Sequence, residues 1–135
     1  MIDVIFPALN EALALPDVID RLPPDYRAIV VDNGSTDDTA AVAESLGAVV
    51  VPETRLGYGA AVHAGVLRAD GEIIAITDAD GSWDARELTG LVSLITDGDA
   101  ELAVDRRRPT CRRAWPWYAR LGNRLLGLRV SRSLG

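Results

Sequence analysis

The chain has 135 residues, of which 48% are hydrophobic and 25% are charged. This length allows one domain with one core, and the apolar content excludes a disordered chain. No apolar run reaches the roughly 18–20 residues of a membrane span. Met1 leads directly into a strand-like run, so no signal peptide is expected. The single cysteine, Cys111, excludes an internal disulfide and a cysteine metal site. We therefore expect a cytoplasmic protein.

Charge is distributed unevenly along the sequence. Residues 1–104 contain 19 acidic residues and 5 arginines, whereas residues 105–135 contain 1 acidic residue and 9 arginines. The acidic part would repel a phosphate backbone, which argues against nucleic-acid binding. The arginine-rich segment fits two roles equally well. One is peripheral contact with phosphate groups or the inner face of an anionic membrane, and the other is a solvated basic end that pairs with the acidic part.

Hydrophobic runs and turn residues predict strands that alternate with helices. The predicted strands cover residues 2–6, 28–32, 48–51, 72–77 and 100–104. The predicted helices cover about residues 11–22, 36–46, 60–69, 84–96 and 114–128. Pro16 also allows a later start of the first helix, and Ser35 or Thr36 is predicted to cap the second. The alternation predicts an α/β fold with three α-β-α layers and a mostly parallel sheet.

Asp78 and Asp80 follow the predicted fourth strand and are separated by one residue. Side chains at positions i and i+2 of a strand point the same way. Both carboxylates can therefore reach one divalent cation, or one can reach the cation and the other a sugar hydroxyl. A cation would neutralise the repulsion between them. The alternative is a cluster that caps the following helix.

The carboxyl ends of parallel strands lie at one edge of a sheet, where ligands bind. That edge is predicted to carry the loops at residues 7–11, 32–37 and 78–82, joined by residues 55–59. Asp32 can accept a hydrogen bond from a base N–H or a ribose hydroxyl. Glycines in the 55–59 segment permit close approach of a ligand to the backbone.

Four segments resemble the motifs of family 2 glycosyltransferases of the GT-A type, in that family's order and spacing. They are residues 6–11, 30–37, 55–61 and 78–81. The resemblance extends over about residues 2–128 and is greatest to the branch that makes dolichyl- or polyprenyl-phosphate sugars. It implies a single GT-A domain, incomplete at its C-terminal side. Residues 1–104 would form the nucleotide-sugar half, and residues 105–135 would begin the acceptor half.

The resemblance also implies roles for individual residues. Those implied in nucleotide-sugar binding, besides Asp78, are Pro7, Asn10, Glu11, Asp32, Ser35, Gly57 and Gly59. Asp78 and Asp80 would be the catalytic carboxylates. Asp78 would contact ribose or sugar, and Asp80 would bind Mg²⁺ or Mn²⁺ on the diphosphate. Arg107 and Arg120 would bind the acceptor phosphate, because guanidinium groups grip phosphate bidentately.

The implied reaction is inverting transfer of a hexose from a UDP- or GDP-sugar to a polyprenyl phosphate. The alternative is a truncated, inactive nucleotide-binding remnant or one half of a split transferase. Asp105 and Arg106 stand where relatives usually have a small glycine-serine pair, and Ser82 replaces a longer amide. A phosphatase of the haloacid-dehalogenase type is disfavoured, because that chemistry needs a lysine and the chain has none.

Overall fold

The computed structural model describes residues 1–105, of which Met1–Ala103 form one compact unit. Within these residues, strands and helices alternate along the chain. The strands are β1 Ile2–Ala8, β2 Tyr26–Asp32, β3 Val49–Pro52 and β4 Ile73–Ile76. The α-helices are α1 Leu15–Asp20, α2 Thr39–Ser45, α3 Tyr58–Arg68 and α4 Leu88–Thr96, the last preceded by a 3₁₀ turn at Ala85–Glu87.

The four strands form one parallel sheet in the order β3-β2-β1-β4. β1 is paired with β2 along its whole length, from Ile2↔Tyr26 to Ala8↔Asp32. Its pairing with β4 is shorter and ends at Ile5↔Ile76. The predicted parallel sheet is confirmed, and the loops that follow its strands lie at one edge, which we call the carboxyl edge.

Helices cover both faces of the sheet, as predicted. The larger core lies between the sheet and helices α1, α2 and α4, and its members include Val4, Phe6, Val30, Leu15, Ala43 and Leu88. The smaller core lies under α3 and consists of Ile5, Ile29, Val31 and Ala61. Alternate residues of β1 thus enter opposite cores, because side chains alternate across a strand. The result is the predicted three-layer arrangement.

The small residues of α3 let this helix approach the sheet closely. A Cβ atom added at Gly65 would overlap Cγ2 of Ile5 and would lie 3.1 Å from Cγ2 of Val31. Glycine is therefore required at this position by packing. The predicted small-residue helix is confirmed, with observed ends at Tyr58 and Arg68.

Several element boundaries differ from the predictions. α1 starts at Leu15 with Pro16 in its first turn, which confirms the later of the two expected starts. α2 starts at Thr39, so the prediction that Ser35 or Thr36 caps it is wrong. The predicted fifth strand at residues 100–104 is not present in the described part of the chain. The predicted helix at residues 114–128 lies outside that part.

Pro7 explains why the pairing of β1 with β4 is short. The N–H of Thr77 donates to the carbonyl oxygen of Ile5, and the N–H of Asn33 donates to that of Ala8. Odd-numbered residues of β1 therefore face β4. Pro7 has no N–H to continue this ladder. β1 and β4 consequently separate at the carboxyl edge.

An ion pair between a buried carboxylate and a half-buried guanidinium lies at the opposite, amino edge of the sheet. Asp3 is fully buried, and its carboxylate accepts two hydrogen bonds of 2.7 Å from the Arg27 guanidinium. It also accepts from the backbone N–H groups of Asp70 and Gly71 at 2.8 Å. The bonds from Arg27 contribute most to lowering the pKa of Asp3 to about 2. Asp3 thus ties β2 and the α3–β4 connection to β1.

Replacing Gly65 by alanine should destabilise the protein. Overpacking against Ile5 is expected to lower the free energy of unfolding by about 1–3 kcal/mol. Gly90 is the matched control, because it lies inside α4 with open space around it. Gly90→Ala should raise stability by up to about 1 kcal/mol through helix propensity. Urea denaturation measures both, and equal stability of the two variants would contradict the close packing of α3.

Replacing Asp3 by asparagine should cost about 3 kcal/mol at neutral pH, because it leaves Arg27 and two backbone N–H groups poorly paired. Asp3 has a folded-state pKa of about 2, below its ordinary 3.8. Its contribution is therefore complete above pH 3.8 and is lost as the pH falls towards 2. The difference between variant and unaltered protein should shrink across this interval in unfolding measurements.

Asp70→Asn provides the control for the ion pair. Asp70 is exposed and its carboxylate is 3.4 Å from Arg27, so its loss should cost under about 1 kcal/mol. A stability deficit of Asp3→Asn that stays constant between pH 4 and pH 2 would show that the Asp3 charge is not responsible.

Candidate functional site

The loop after β1 is bonded to the loop after β2 at the carboxyl edge. Asn10 has a left-handed backbone, with φ of 60°. Its N–H donates to Oγ of Ser35 at 3.0 Å, and its Oδ1 accepts from the N–H of Thr36 at 2.8 Å. Two of the predicted nucleotide-site residues, Asn10 and Ser35, are thus in contact with one another. Their bonds give the two loops a fixed relative position.

A second set of bonds joins the same two loops. The N–H of Glu11 donates to the Oγ1 of Thr39 at 2.9 Å, and the N–H of Ala12 donates to Asp37 Oδ2 at 3.3 Å. The other oxygen of Asp37 accepts from both the N–H and the hydroxyl of Thr39. Asp37 therefore satisfies the start of α2 while Ser35 and Thr36 bind the β1 side. This explains why the predicted cap was wrong.

Asp32 ends β2 and is half-buried. Its Oδ1 accepts from the N–H of Ser35 at 3.0 Å, which closes the turn. Its carbonyl oxygen accepts from the N–H of Glu53 at 2.9 Å, which extends the pairing with β3 by one residue. Only Oδ1 of the carboxylate is engaged among the described contacts. Oδ2 is available to accept a hydrogen bond from a ligand.

The loop from β3 to α3, residues 53–57, is held by bonds to Asn33 and by an ion pair within the loop. Asn33 is bonded to its backbone at Glu53, Arg55 and Gly57. The Glu53 carboxylate accepts from the N–H of Arg55 at 2.7 Å and pairs with its guanidinium at 3.0 Å. The bonds from the Arg55 side chain are the main cause of the lowered pKa of Glu53.

The two predicted cleft glycines occupy the end of this loop and the first turn of α3. Gly57 has φ of 122° and ψ of 147°, a conformation that residues with a Cβ rarely adopt. A Cβ added at Gly59 would meet nothing within 4 Å. Among the described residues, the backbone here therefore leaves space for the close approach of a ligand.

Asp78 and Asp80 lie in the loop after β4. β4 ends at Ile76, so the expectation that strand geometry aligns the two carboxylates is wrong. Burial still alternates along this loop. Ala79 packs into the larger core, whereas Asp78 is half-buried and Asp80 is exposed. Asp80 Oδ1 accepts from the N–H of Ser82 at 2.8 Å.

The residue that caps the helical turn after Asp78 and Asp80 is Asp84. Asp84 accepts from the N–H of Arg86 at 3.1 Å and caps the 3₁₀ turn that precedes α4. Asp78 and Asp80 are thus not the cap of the next helix.

Asp80, in the loop after β4, lies within electrostatic range of Glu11, in the loop after β1. The pKa of Glu11 is raised, first by burial and then by the negative charges of Asp80 and Asp37. Asp80 and Asp37 are thus close enough to Glu11 to repel its charge. Within residues 1–105 no three acidic, histidine or cysteine side chains are grouped closely enough to bind a metal by themselves. A metal here would need further ligands, either from a bound molecule or from outside residues 1–105.

The structure therefore brings most of the predicted site to one edge. The predicted residues found there are Pro7, Asn10, Glu11, Asp32, Ser35, Gly57, Gly59, Asp78 and Asp80. The predicted acceptor residues Arg107 and Arg120 lie outside the described residues. Their roles stay predictions.

Sequence reasoning missed residues that hold the site together. Asn33 and Asp37 lie in the predicted loop at residues 32–37 without an assigned bonding partner, and Thr39 lies inside the predicted helix over residues 36–46. One signal was present for Asn33, because an amide directly after a strand-end aspartate can bond to neighbouring backbone. The partners of Asn33 are 20–24 residues away in sequence, so no local pattern could identify them.

The fold resembles that of solved glycosyltransferases. Glucosyl-3-phosphoglycerate synthase of Mycobacterium tuberculosis, solved with Mn²⁺, UDP-glucose and phosphoglyceric acid, has a TM-score of 0.64 and 31% identity. The match covers 73% of this chain and 40% of the synthase. The same synthase has also been solved with Mg²⁺ and UDP, at a TM-score of 0.62 and 33% identity over 70% of this chain and 39% of the synthase. The parallel sheet with flanking helices is thus of the GT-A type.

Curated sequence relatives of this chain are also glycosyltransferases. A glycosyltransferase of Mycobacterium tuberculosis, itself uncharacterised, is 52% identical over 129 residues, or 96% of this chain. This chain spans 59% of that relative's length. Polyprenol monophosphomannose synthase of Mycolicibacterium smegmatis is 35% identical over 84% of this chain and 48% of its own length. The sequence profile of glycosyl transferase family 2 matches residues 3–133. On this match and these relatives, the chain belongs to glycosyl transferase family 2.

Proposed function

We propose that this chain binds a UDP- or GDP-hexose at the carboxyl edge and transfers the hexose, with inversion, to a polyprenyl phosphate. The observation that carries the proposal is the convergence at that edge of the loops that follow the four strands. The loops after β1 and β2 are joined through Asn10 and Ser35, and Asn33 adds the loop after β3. Asp80 of the loop after β4 lies near Glu11. One ligand can thus be held by residues far apart in sequence.

The donor nucleotide is assigned to the loops after β2 and β3. Asp32 Oδ2 would accept from an N–H of the base, since Oδ1 is already bonded to Ser35. The backbone at Gly57 and Gly59 would lie against the nucleotide sugar, because these glycines leave open space. This assignment is supported by the solved synthase with UDP-glucose, which shares the fold.

The acidic residues at this edge fit a divalent cation held jointly with a diphosphate. Mg²⁺ and Mn²⁺ prefer oxygen ligands, and Mg²⁺ is commonly bound by one or two carboxylates together with substrate phosphates. Asp80 and Asp78 provide such carboxylates. The pKa of Glu11 is raised first by burial and then by the negative charges of Asp80 and Asp37, and a bound cation would offset those two charges. When bound, the cation would neutralise charge on the leaving diphosphate.

The acceptor is proposed from its chemistry. A phosphate oxygen of the lipid would form a bond to the anomeric carbon while the bond from that carbon to the diphosphate breaks, releasing UDP or GDP. A lipid phosphate is already ionised at neutral pH, so it needs no general base, whereas a hydroxyl acceptor would. The polyprenol relative supports this choice. Arg107 and Arg120 are proposed to bind the acceptor phosphate.

A second candidate is a nucleotide-binding chain without turnover of its own, either an inactive remnant or one half of a split transferase. This chain spans 59% of the curated relative's length. Both candidates require nucleotide binding at the carboxyl edge. They differ only in whether product forms.

A lipid acceptor would place this protein at a membrane surface. Among residues 1–105 no helix combines the length and apolar character that crossing a membrane requires. We propose a cytoplasmic location, with peripheral contact at the inner face of the membrane through the arginine-rich residues 105–135.

Asp80→Asn should weaken Mn²⁺-dependent binding of UDP or GDP by at least about tenfold, because a neutral amide is a poorer metal ligand than a carboxylate. Isothermal titration calorimetry with and without Mn²⁺ measures this. Asp25→Asn is the control, since Asp25 is exposed in the turn before β2 at the amino edge. Full Mn²⁺-dependent affinity in Asp80→Asn would refute the metal assignment.

With Mn²⁺ and a UDP- or GDP-hexose, we expect nucleoside diphosphate release in the presence of polyprenyl phosphate, in a fixed ratio to glycosylated lipid. A parallel reaction contains 3-phosphoglycerate, the acceptor named in the solved synthase. Product with 3-phosphoglycerate alone would overturn the lipid assignment. Nucleotide binding without product from either acceptor would establish the second candidate.

A further inference from the structure

Asn33 is a buried amide whose side-chain hydrogen bonds all reach the backbone of one loop. Its Nδ2 donates to the carbonyl oxygens of Glu53 at 3.0 Å and Arg55 at 2.7 Å. Its Oδ1 accepts from the N–H of Gly57 at 2.7 Å. The residue is 6% exposed, so water competes little for these groups. Asn33 thus holds the loop of residues 53–57 to the carboxyl end of β2.

Burial does little to fix residues 54–57 of this loop, which are all exposed. The side chain of Arg55 is 67% exposed and Leu56 is 79% exposed. The pair between Glu53 and Arg55 is internal to the loop. Glu53 is tied to β2 by one backbone bond to Asp32, at the start of the loop only. The rest of the loop therefore depends on the amide of Asn33.

The far end of the loop is its most adaptable point. Glycine has more backbone freedom than any other residue, and Gly57 takes a conformation with φ of 122°. α3 begins at the next residue, Tyr58, and has no side-chain cap. The bond from the N–H of Gly57 to Asn33 therefore sets where the loop meets the first turn of α3.

We propose that Asn33 is a positioning residue for nucleotide-sugar binding, an inference that rests on the function proposed above. The side-chain amide of Asn33 holds the loop of residues 53–57 beside Asp32, its neighbour in the chain. Asp32 and this loop can then contact the same nucleotide. Without the amide, the loop samples other conformations. The apparent affinity then falls in proportion to the fraction of molecules that keep the loop in place.

An amide matches the three backbone groups around this position. The two carbonyl oxygens at Glu53 and Arg55 need a donor, and the N–H of Gly57 needs an acceptor. Aspartate would keep the acceptor but would set a charged oxygen against two carbonyl oxygens. Alanine would remove both functions and leave three backbone groups unpaired.

The test measures binding of UDP and of GDP, each with Mn²⁺, by calorimetry. Asn33→Ala and Asn33→Asp should each raise the dissociation constant about tenfold, as expected if the loop is in place in roughly one molecule in ten. Asp3→Asn is the stability control, because it weakens the fold at the amino edge. It should bind as tightly as the unaltered chain.

Amide hydrogen exchange provides a readout that general destabilisation does not reproduce. Residues 53–58 should exchange faster in both Asn33 variants, while the amides of β1 exchange as in the unaltered chain. Saturating UDP or GDP with Mn²⁺ should restore protection of residues 53–58. Asp3→Asn should show no selective change in this segment.

The outcomes separate the two proposals. If the unaltered chain binds neither nucleotide, the proposed function fails and the positioning role fails with it. If the unaltered chain binds and Asn33→Ala binds within twofold, only the positioning role is overturned. A tenfold loss in Asp3→Asn as well would assign the effect to general stability and also overturn it. If Asn33→Ala does not fold, Asn33→Asp decides on the same criteria, since it keeps the size and the acceptor for Gly57.

Discussion

The parallel pairing of β1 with β2 is the constraint on which the candidate site depends. The strands are paired from end to end and finish together at Ala8↔Asp32. The N–H of Asn33 then donates to the carbonyl oxygen of Ala8 and continues the alignment for one more step. Both following loops therefore start side by side. The bond from the N–H of Asn10 to the Ser35 hydroxyl can form only because this register places the two loops together.

Much of the polar chemistry at the carboxyl edge stabilises the edge itself. Asn10 and Ser35, which resemble family nucleotide-site residues, use their side chains on one another's loops. One carboxylate oxygen of Asp32 accepts from the N–H of Ser35 and closes the turn after β2. Some residues of the family motifs therefore stabilise the loops, and a smaller number remain to contact a ligand. The first group holds the second in position. Such preorganisation lowers the conformational cost of binding.

The alternation of apolar runs with turn residues was sufficient to predict the parallel sheet and its two covered faces. It failed where a distant partner decides the local structure. α2 starts at Thr39 because Ser35 and Thr36 bind the loop after β1, a contact about 25 residues away in sequence. For the same reason, the motif residues at the site were recognisable, whereas the role of Asn33 was visible only after folding had placed its partners.

The direction of β1 has a practical consequence for labelling. The sequence contains no lysine, so a chain that begins at Met1 offers an amine-reactive dye or sensor surface one target, its α-amino group. β1 runs from the amino edge at Ile2 to the carboxyl edge at Ala8, which at ~3.3 Å per residue is about 20 Å. A group attached at Met1, which is exposed, is therefore held away from the edge assigned to the nucleotide. Single-site immobilisation through this amine leaves that edge accessible without any engineered tag.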